Sequence, residues 1–304
     1  MGSFLISNNS TKVAFILLIL KFLKIFGFGR GSLKKILYFF LKKFIGYNPV
    51  LYKYDKVYFL LYPLLNSTDA KMITSSRFLE FDEINYIRNN INDRDLCFFD
   101  IGANIGYYSL LLNKCFDKIY AFEPIPGTIN KLRFNIDINQ LDKKIEVIEK
   151  GVGDKNEMIN IFEDLENIGN SSILINGKKN KVHNIEMINL IEFIDQKKIN
   201  KIGLIKVDIE GYEDRALMPL LTSMNNKILP KIIILEHSNS NMWKGDLLSQ
   251  LRKKKYKLVK STRGNSVYLY NGGESGIRTH GKVAPTLPFQ GSAIDHSAIS
   301  PVND

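Results

Sequence analysis

One short glycine turn between two apolar runs constrains the fold of this chain more than any other feature. Residues 100–106 read D-I-G-A-N-I-G, and they lie between the apolar residues 96–99 and a second apolar run over residues 107–112. This order is typical of a buried strand, a turn that contains glycine, and a helix. The segment therefore predicts the first unit of an α/β fold, with the turn at the carboxyl end of a strand.

Strands and helices alternate through residues 96–270. The sequence predicts strands over residues 96–100, 118–122, 145–148, 202–208 and 231–236. It predicts helices over residues 107–113, 126–139, 191–196, 213–223 and 247–255. Residues 154–189 are expected to hold a β insertion, and residues 256–260 and 266–270 a closing hairpin. This alternation indicates an α/β fold whose sheet is parallel apart from the closing hairpin.

Residues 1–65 form a basic, apolar N-terminal arm. They contain ten Lys or Arg and one acid, Asp55, so a net +9 of the chain's formal charge of +11 lies in the arm. The apolar runs are shorter than the roughly 20 residues of a membrane-spanning helix, and lysines interrupt them. We expect one or two basic amphipathic helices over residues 12–65 that lie on an anionic membrane surface. The alternative is a helical cap that packs on the domain with its lysines in solvent.

The segments that flank the alternating region carry weaker signals. Residues 66–95 are expected to form a connector and one helix, and residues 271–304, rich in Gly, Ser, Pro and Thr, a disordered tail. Two strings in the tail resemble the product of a reading frame that runs through a transfer-RNA gene, so its histidines are given no function. Cys97 and Cys115 lack metal-ligand spacing, which disfavours a zinc site or a disulfide scaffold.

The glycine spacing of the turn distinguishes between two kinds of nucleoside ligand. Dinucleotide sites use G-x-G-x-x-G to bring backbone amides to two phosphates, whereas this turn has only Gly102 and Gly106 in G-x-x-x-G. S-adenosylmethionine has no phosphate but has an amino-acid end, and Asp100 is placed to order the loop that receives its ammonium. Glu123 ends the next strand, where an acid accepts hydrogen bonds from two ribose hydroxyls. The alternative is an ordinary turn in which Asn104 caps the helix.

A group of acids follows a later apolar strand, in residues 206–213 (K-V-D-I-E-G-Y-E). They are expected at the carboxyl edge of the sheet, where ligands bind in such folds. Three acids so close together need a cation, for which the candidates are Lys206, the sulfonium, a substrate amine and a divalent metal. Asp208 is the best-placed general base for a hydroxyl, and Glu210 is a second catalytic candidate. The alternative for Glu210 and Glu213 is that they only stabilise the N-terminus of the next helix.

A histidine at the end of the following strand is the third catalytic candidate. His237 follows Glu236, and an imidazole can accept a proton near neutral pH. The alternative for His237 is a structural hydrogen bond at the strand end.

Six short motifs occur in one order along the chain: D-I-G-A-N-I-G, A-F-E-P, G-V-G-D (residues 151–154), N-S-S (residues 170–172), K-V-D-I-E-G-Y-E and I-L-E-H. Together they resemble the FkbM-type methyltransferase family, over roughly residues 95–270. The resemblance implies a class I, Rossmann-like α/β methyltransferase fold, with a mostly parallel seven-stranded sheet flanked by helices. It also implies O-methylation, commonly of a sugar or natural-product hydroxyl, and assigns cofactor binding to a set of five residues: Asp100, Gly102, Asn104, Gly106 and Glu123.

We therefore expect an S-adenosylmethionine-dependent O-methyltransferase that acts on a hydroxyl of a sugar, glycan or glycolipid. The basic arm favours a lipid-linked acceptor, and a cytoplasmic protein at the inner face of a membrane. No residue is assigned to a metal, and a divalent ion is an alternative that the sequence does not support.

Other functions are weighed against this expectation. The chain outside the arm is nearly neutral, which disfavours a nucleic-acid partner. The sequence has no Pro-Pro and no Pro-Cys, motifs that nucleic-acid methyltransferases use. The missing third glycine disfavours a nicotinamide dehydrogenase. A methyltransferase for a small metabolite and a non-catalytic membrane-associated scaffold that keeps the fold stay open as alternatives.

Overall fold

The computed structural model of this protein describes residues 11–26, 34–45, 47–75, 80–91, 93, 95–164, 171–172, 180–223, 228–262 and 264–272. The expected tail over residues 271–304 therefore lies outside the described residues from position 273 onward. Asn170 of the N-S-S motif lies outside them as well.

The elements follow one another along the chain in two groups. The first group comprises α1 (Thr11–Ile25), α2 (Lys34–Phe44), β1 (Val50–Tyr54), β2 (Val57–Leu61), α3 (Ser67–Thr74) and α4 (Phe81–Asn90). The second group begins with β3 (Cys97–Ile101), α5 (Tyr107–Leu111), β4 (Lys118–Phe122), α6 (Pro126–Ile138), β5 (Ile145–Ile148), β6 (Gly151–Gly153), β7 (Met158–Asp164), β8 (Ser171–Ser172) and β9 (Asn180–Asn189). It ends with α7 (Leu190–Lys197), β10 (Ile202–Val207), α8 (Glu213–Ser223), β11 (Ile232–Glu236), α9 (Leu247–Lys253), β12 (Tyr256–Ser261) and β13 (Asn265–Tyr270).

A seven-stranded sheet with the order β12-β13-β11-β10-β3-β4-β5 forms the centre of the fold. Strands β10, β11, β3, β4 and β5 pair in parallel, and β13 is antiparallel to both of its neighbours. The α/β fold with a mostly parallel sheet is therefore confirmed. The closing hairpin is confirmed too, but β12 has the direction of the parallel strands, so only β13 is reversed.

The strand order determines where a ligand site can form. The chain proceeds from β3 outward through β4 to β5, and then returns to the other side of β3 with β10 and β11. Helices that follow β3 and β10 therefore cover opposite faces, which leaves a crevice at the carboxyl ends of these two strands.

Alternate residues of the central strands enter two different cores. Phe98 and Leu204 pack in the core on one face, and Phe99 and Ile205 pack in the core on the other. Strands buried on both faces are continuous apolar runs rather than alternating ones, which explains why their positions could be predicted.

The predicted β insertion over residues 154–189 is confirmed for its described residues. Strand β7 pairs antiparallel with β8 and β9, and β6 pairs in parallel with β9. This small sheet follows β5 and lies beside the crevice, since Met187 and Ile161 contribute to the cavity described below.

The helical arm expected over residues 1–65 is wrong for residues 50–61, which form the hairpin β1–β2. Asp55 and Lys56 are both left-handed, with φ of 43° and 73°, and two such residues form the tight turn that suits a hairpin. The flanking Val, Leu, Tyr and Phe residues are typical of strands.

Residues 66–95 contain two helices rather than the single one that was expected. The expected helix is α4. The additional helix, α3, begins after Asn66, whose side chain accepts hydrogen bonds from the Thr68 and Asp69 amides.

The helices α1 and α2 bury one face and expose another. Ile16, Leu20 and Leu37 belong to the same core as Phe59 of the hairpin, so these helices pack on the domain. Phe15 is exposed by 63%, and other apolar side chains of the arm are also exposed, namely Leu18, Phe22, Phe26, Tyr38 and Phe39. None of the helices in the described ranges combines the length and the apolar character needed to cross a membrane.

Asn135 of α6 and Asn139, the C-cap of this helix, hold the hairpin against the domain. The Asn135 side chain accepts from the Leu60 backbone N–H (2.7 Å) and donates to the Ile105 carbonyl (3.0 Å). One helical turn later, the Asn139 side chain accepts from the Tyr58 N–H (2.8 Å) and donates to the Tyr58 carbonyl (2.7 Å). The edge strand β2 is thus paired by side-chain amides, and Asn135 connects it directly to the glycine turn.

We expect Asn135→Ala to lower the free energy of unfolding by about 2–4 kcal/mol, because the buried Leu60 N–H and Ile105 carbonyl each lose their partner. Urea denaturation measures the change. Asn139→Ala is the matched control, because its bonds to Tyr58 are exposed and water replaces them. Equal losses in the two variants would contradict this account of the hairpin.

Candidate active site

A cavity of about 240 Å³ lies at the carboxyl ends of β3, β4 and β10. Residues of the loops after these strands line it, together with residues of the β insertion and of the segment between β2 and α4. The cavity coincides with the crevice that the strand order creates, where ligands of such folds bind.

The two glycines of the turn are required by close approaches of other elements. Gly102 and Gly106 are left-handed, with φ of +72° and +87°. A Cβ at Gly102 would lie 1.9 Å from the Asp208 carbonyl oxygen, and a Cβ at Gly106 would lie 2.6 Å from Leu132 Cδ1. Gly102 lines the cavity, whereas Gly106 lies behind the turn against α6. The turn thus brings bare backbone to the cavity wall.

Asp100 supports the turn from behind. Its side chain is fully buried and lies outside the cavity lining. One carboxylate oxygen accepts from the Ser109 N–H (3.0 Å) and hydroxyl (2.6 Å), which fixes the start of α5 to the end of β3. Burial raises the pKa of Asp100, while Lys206 and the two bonds from Ser109 act in the opposite direction.

Glu123 closes the turn at the end of β4 and lines the cavity. Its two carboxylate oxygens accept from the Asn104 N–H and the Ile125 N–H, both at 3.0 Å. Each oxygen keeps a further lone pair for a ligand. Burial raises the pKa of Glu123 to about 7, against the effect of these two bonds. Asn104 is left-handed and lines the cavity, and Gly106 rather than Asn104 occupies the N-cap of α5.

A buried ammonium connects the turn to the acids after β10. Lys206 Nζ donates to the Gly102 carbonyl (2.9 Å) and lies 3.3 Å from Asp208 Oδ2 and 3.8 Å from Asp100 Oδ1. Burial lowers the pKa of Lys206, but Asp208, Asp100 and Glu80 together raise it above its usual value. Lys206 is therefore charged, and its charge offsets those of Asp208 and Asp100.

The acids of the 206–213 segment divide between the cavity and the protein interior. Asp208 and Glu210 line the cavity. Burial, together with Asp208, Glu236 and Glu213, raises the pKa of Glu210 to about 7, and Asn239 donates to it (2.7 Å).

Glu213 has a structural role, as the alternative for this residue predicted. It is fully buried and accepts from the Ile209 N–H (3.0 Å), the Gly211 N–H (3.1 Å) and the Trp243 indole (2.7 Å). These bonds hold the loop between β10 and α8 in the shape that presents Asp208 and Glu210.

His237 does not reach the cavity. Its backbone N–H donates to the Gly264 carbonyl (2.9 Å), and its Nδ1 lies 3.3 Å from the Ser266 hydroxyl, at the start of β13. It is not among the residues that line the cavity. The catalytic role of His237 stays a prediction; in this structure the end of β11 pairs with β13, and the ring lies toward Ser266. This position agrees with the structural alternative.

The segment between β2 and α4 contributes four lining residues that the sequence motifs do not include: Asn66, Thr68, Asp69 and Glu80. Asp69 is fully buried, and one oxygen accepts from the Tyr62 N–H (2.7 Å) while the other has no hydrogen-bond partner. Burial raises the pKa of Asp69 to about 6. The N-cap at Asn66 was a readable local signal for α3. No local signal indicates Glu80, which reaches the site through tertiary packing.

Metal ligation has no geometric support in the part of the chain that the structure describes. Within those residues, no three His, Cys, Asp or Glu side chains are grouped so that they could hold a metal ion.

Comparison with protein families identifies one matching domain. The profile of the methyltransferase FkbM domain matches residues 100–258, which is more than half of the chain. No curated protein matches the chain.

Several solved structures are similar in fold. Methyltransferase FkbM from Methylobacillus flagellatus KT is 18% identical, with a TM-score of 0.41, over 58% of this chain and 44% of that one. A rRNA methylase from Streptococcus thermophilus is 10% identical, with a TM-score of 0.38, over 63% of this chain and 95% of that one. TrmK from M. capricolum, in complex with S-adenosyl-homocysteine, is 17% identical, with a TM-score of 0.36, over 62% of this chain and 68% of that one. The chain thus spans less than half of the first of these proteins.

We expect Gly102→Ala to lower the free energy of unfolding by at least about 2 kcal/mol, since the methyl meets the Asp208 carbonyl and the left-handed backbone disfavours alanine. Gly127→Ala is the matched control, because no atom lies within 4 Å of its Cβ position, in α6. Urea denaturation measures both, and the control should be neutral or stabilised by up to about 1 kcal/mol. A tolerated Gly102→Ala would contradict the close approach.

Stability should fall as the pH rises from about 5 to about 7. Glu123 and Glu210 hold protons up to a pKa of about 7 in the folded state, whereas in the unfolded chain they lose them near the ordinary glutamate pKa of 4.5. The folded state therefore binds more protons in this window, and raising the pH removes that advantage. Urea denaturation at several pH values measures the slope. Glu123→Gln should make the slope shallower; a steeper slope would contradict the assignment.

Proposed function

The chain belongs to the FkbM methyltransferase family and is an S-adenosylmethionine-dependent methyltransferase, and we propose that its acceptor is a hydroxyl of a sugar, glycan or glycolipid. The observation that carries this proposal is the pair of carboxylates, Asp208 and Glu210, that faces the cavity beside the glycine turn. An alcohol acceptor must lose a proton, and a carboxylate at the reaction edge is suited to accept it.

The residues around the turn fit S-adenosylmethionine, which supplies an activated methyl group when bound. Gly102 lines the cavity with bare backbone, because the Asp208 carbonyl leaves no room for a Cβ there, and Asn104 lines the cavity next to it. Glu123 has lone pairs left for the two ribose hydroxyls. We therefore assign cofactor contacts to Gly102, Asn104 and Glu123. Asp100 and Gly106 have supporting roles outside the cavity lining. Asp100 fixes the turn through its bonds to Ser109, and Gly106 allows α6 to pack closely against the turn.

Asp208 is the proposed general base. Lys206 holds its Oδ2 at 3.3 Å, which fixes the carboxylate at the carboxyl edge of the sheet. Asp208 takes the proton of the acceptor hydroxyl as the oxygen becomes methylated, and returns this proton to water afterwards. Glu210, with a pKa raised to about 7, is the second group able to exchange a proton there. The main contribution of the protein is positioning, because holding two reactants in line removes much of the entropic barrier.

The charge of the cavity disfavours a nucleic acid as acceptor. Five carboxylates and two ammonium groups line the cavity: Asp69, Glu80, Glu123, Asp208 and Glu210 against Lys150 and Lys206. A polyanionic backbone would be repelled, whereas a neutral sugar hydroxyl would not. The fold likeness to methylases of ribosomal and transfer RNA carries no information about this acceptor.

The arm supports the proposal that the acceptor lies at a membrane, with the protein on the cytoplasmic face. Phe15, Leu18 and Phe22 expose apolar rings and chains on α1, and Lys21 lies among them in solvent. No acid occurs before Asp55, so every charged side chain of α1 and α2 is a lysine. Apolar burial combined with attraction to anionic headgroups is how interfacial helices bind lipid.

The acceptor proposal is tested with labelled S-adenosylmethionine and fractionated envelope glycans and lipids. We expect Asp208→Asn to lower kcat by about 10²–10⁴-fold, since it removes the proton acceptor. Its dissociation constant for the cofactor should stay within about threefold, since the base acts on the acceptor. Transfer of label only to amines or to RNA, or to no fraction, would overturn the hydroxyl-acceptor proposal.

The membrane proposal is tested by sedimentation with vesicles that contain anionic phospholipid. We expect the triple change Phe15→Ser, Leu18→Ser, Phe22→Ser to abolish most vesicle binding, because it removes the exposed apolar face and keeps every charge. Met158→Ser with Val182→Ser is the matched control, since both side chains are exposed in the β insertion. Unchanged binding of the triple variant would contradict a lipid-facing role for α1.

A further inference from the structure

We propose that Glu80, which precedes the matched family domain in the chain, binds the ammonium of the amino-acid end of S-adenosylmethionine. The inference rests on the cofactor placement given above and names a residue outside the family's matched range, residues 100–258. It concerns the cofactor only, so it does not depend on the identity of the acceptor.

Glu80 reaches the cavity from the start of α4. It is the N-cap of that helix, in the left-handed conformation with φ of 49°, and it lines the cavity. The Tyr108 hydroxyl donates a hydrogen bond to its carboxylate, and Lys206 and Asp208 are close enough to influence its charge. Glu80 thus lies beside the glycine turn, at the end of the cavity where the turn meets β10.

Three other carboxylates lie near the glycine turn, and each makes its own contacts with the protein. Asp100 is fully buried behind the turn, outside the cavity lining. Asp208 pairs with Lys206 at 3.3 Å and faces the loop after β10. Glu210 accepts a hydrogen bond from Asn239 at 2.7 Å. Glu80 differs from these three because it lines the cavity beside the turn, and its described hydrogen bond is the one from Tyr108, so it can receive a cation of the ligand.

The environment of Glu80 favours a cationic partner. Glu80 is exposed as a residue, but desolvation of its carboxyl group at the cavity raises its pKa to about 7. An ammonium beside it would offset the cost of burial and stabilise the ionised form. Ligand binding and loss of the proton from Glu80 are therefore coupled, and affinity should rise with pH through about 7.

The test compares two ligands that differ in the amino-acid end. S-adenosylhomocysteine carries the ammonium, and 5′-methylthioadenosine lacks the whole amino-acid end. Calorimetry should show that Glu80→Gln weakens binding of S-adenosylhomocysteine by about 10–100-fold, the usual effect of losing a charge-assisted hydrogen bond. The same variant should bind 5′-methylthioadenosine within about twofold of the wild type, which also shows that the cavity has kept its shape.

The pH dependence gives a second readout. Wild-type affinity for S-adenosylhomocysteine should increase from about pH 6 to about pH 8, and Glu80→Gln should make this increase shallower, because Glu123, whose pKa is also raised to about 7, still titrates in the cavity. Asp82→Asn is the matched control, because it removes a carboxylate from the same helix outside the cavity lining. This control should bind both ligands as the wild type does.

Three outcomes would overturn the proposal. If Glu80→Gln bound S-adenosylhomocysteine as tightly as the wild type does but had lost activity, Glu80 would belong to the acceptor site instead. Equal weakening for both ligands would show that Glu80 supports the cavity as a whole. If the wild type bound neither ligand, the assignment of this cavity to the cofactor would be wrong. Failure to label a glycan would contradict only the acceptor proposal.

Discussion

One buried ammonium holds the site together. Lys206 of β10 lies directly opposite Asp100 of β3 in the parallel register, and its Nζ donates to the Gly102 carbonyl at 2.9 Å. The same group lies 3.3 Å from Asp208. The turn after β3 and the loop after β10 therefore share one cation. Removal of one partner of such a buried pair leaves an uncompensated charge, which is costly in a low-dielectric interior. The geometry of the cavity thus depends on a contact between the two central strands.

The sequence predicts the second group of elements well because their signals are local. The strands β4 and β5 and the helix α8 have the predicted bounds, since buried parallel strands are short apolar runs between turns. Glu123 and Asp208 could be placed at the cavity for the same reason, because the carboxyl ends of parallel strands meet at one edge of the sheet.

The remaining features depend on contacts between distant residues or on backbone direction within loops. Glu80 enters the site because α4 packs near Tyr108, and no pattern around residue 80 indicates this. Within the acid cluster, the sequence cannot distinguish Glu213, which points inward, from Asp208, which faces the cavity, since the left-handed Gly211 sets the course of the loop. The helix expected over residues 50–61 is wrong because this hairpin has the same apolar and basic composition as the helices before it.

The hydrogen bonds of Asn135 and Asn139 to β2 have a consequence for the order in which the protein folds during synthesis. The residues that they join are 75 and 81 positions apart, and the hairpin is synthesised first. Until Asn135 and Asn139 have left the ribosome, the edge of β2 that faces away from β1 lacks its hydrogen-bond partners, and the helices α1 and α2 lack part of the core on which they pack. The apolar helices α1 and α2 therefore emerge before the residues of the domain that cover them. This interval is when the nascent chain is most exposed to aggregation, to chaperones and to any lipid surface nearby.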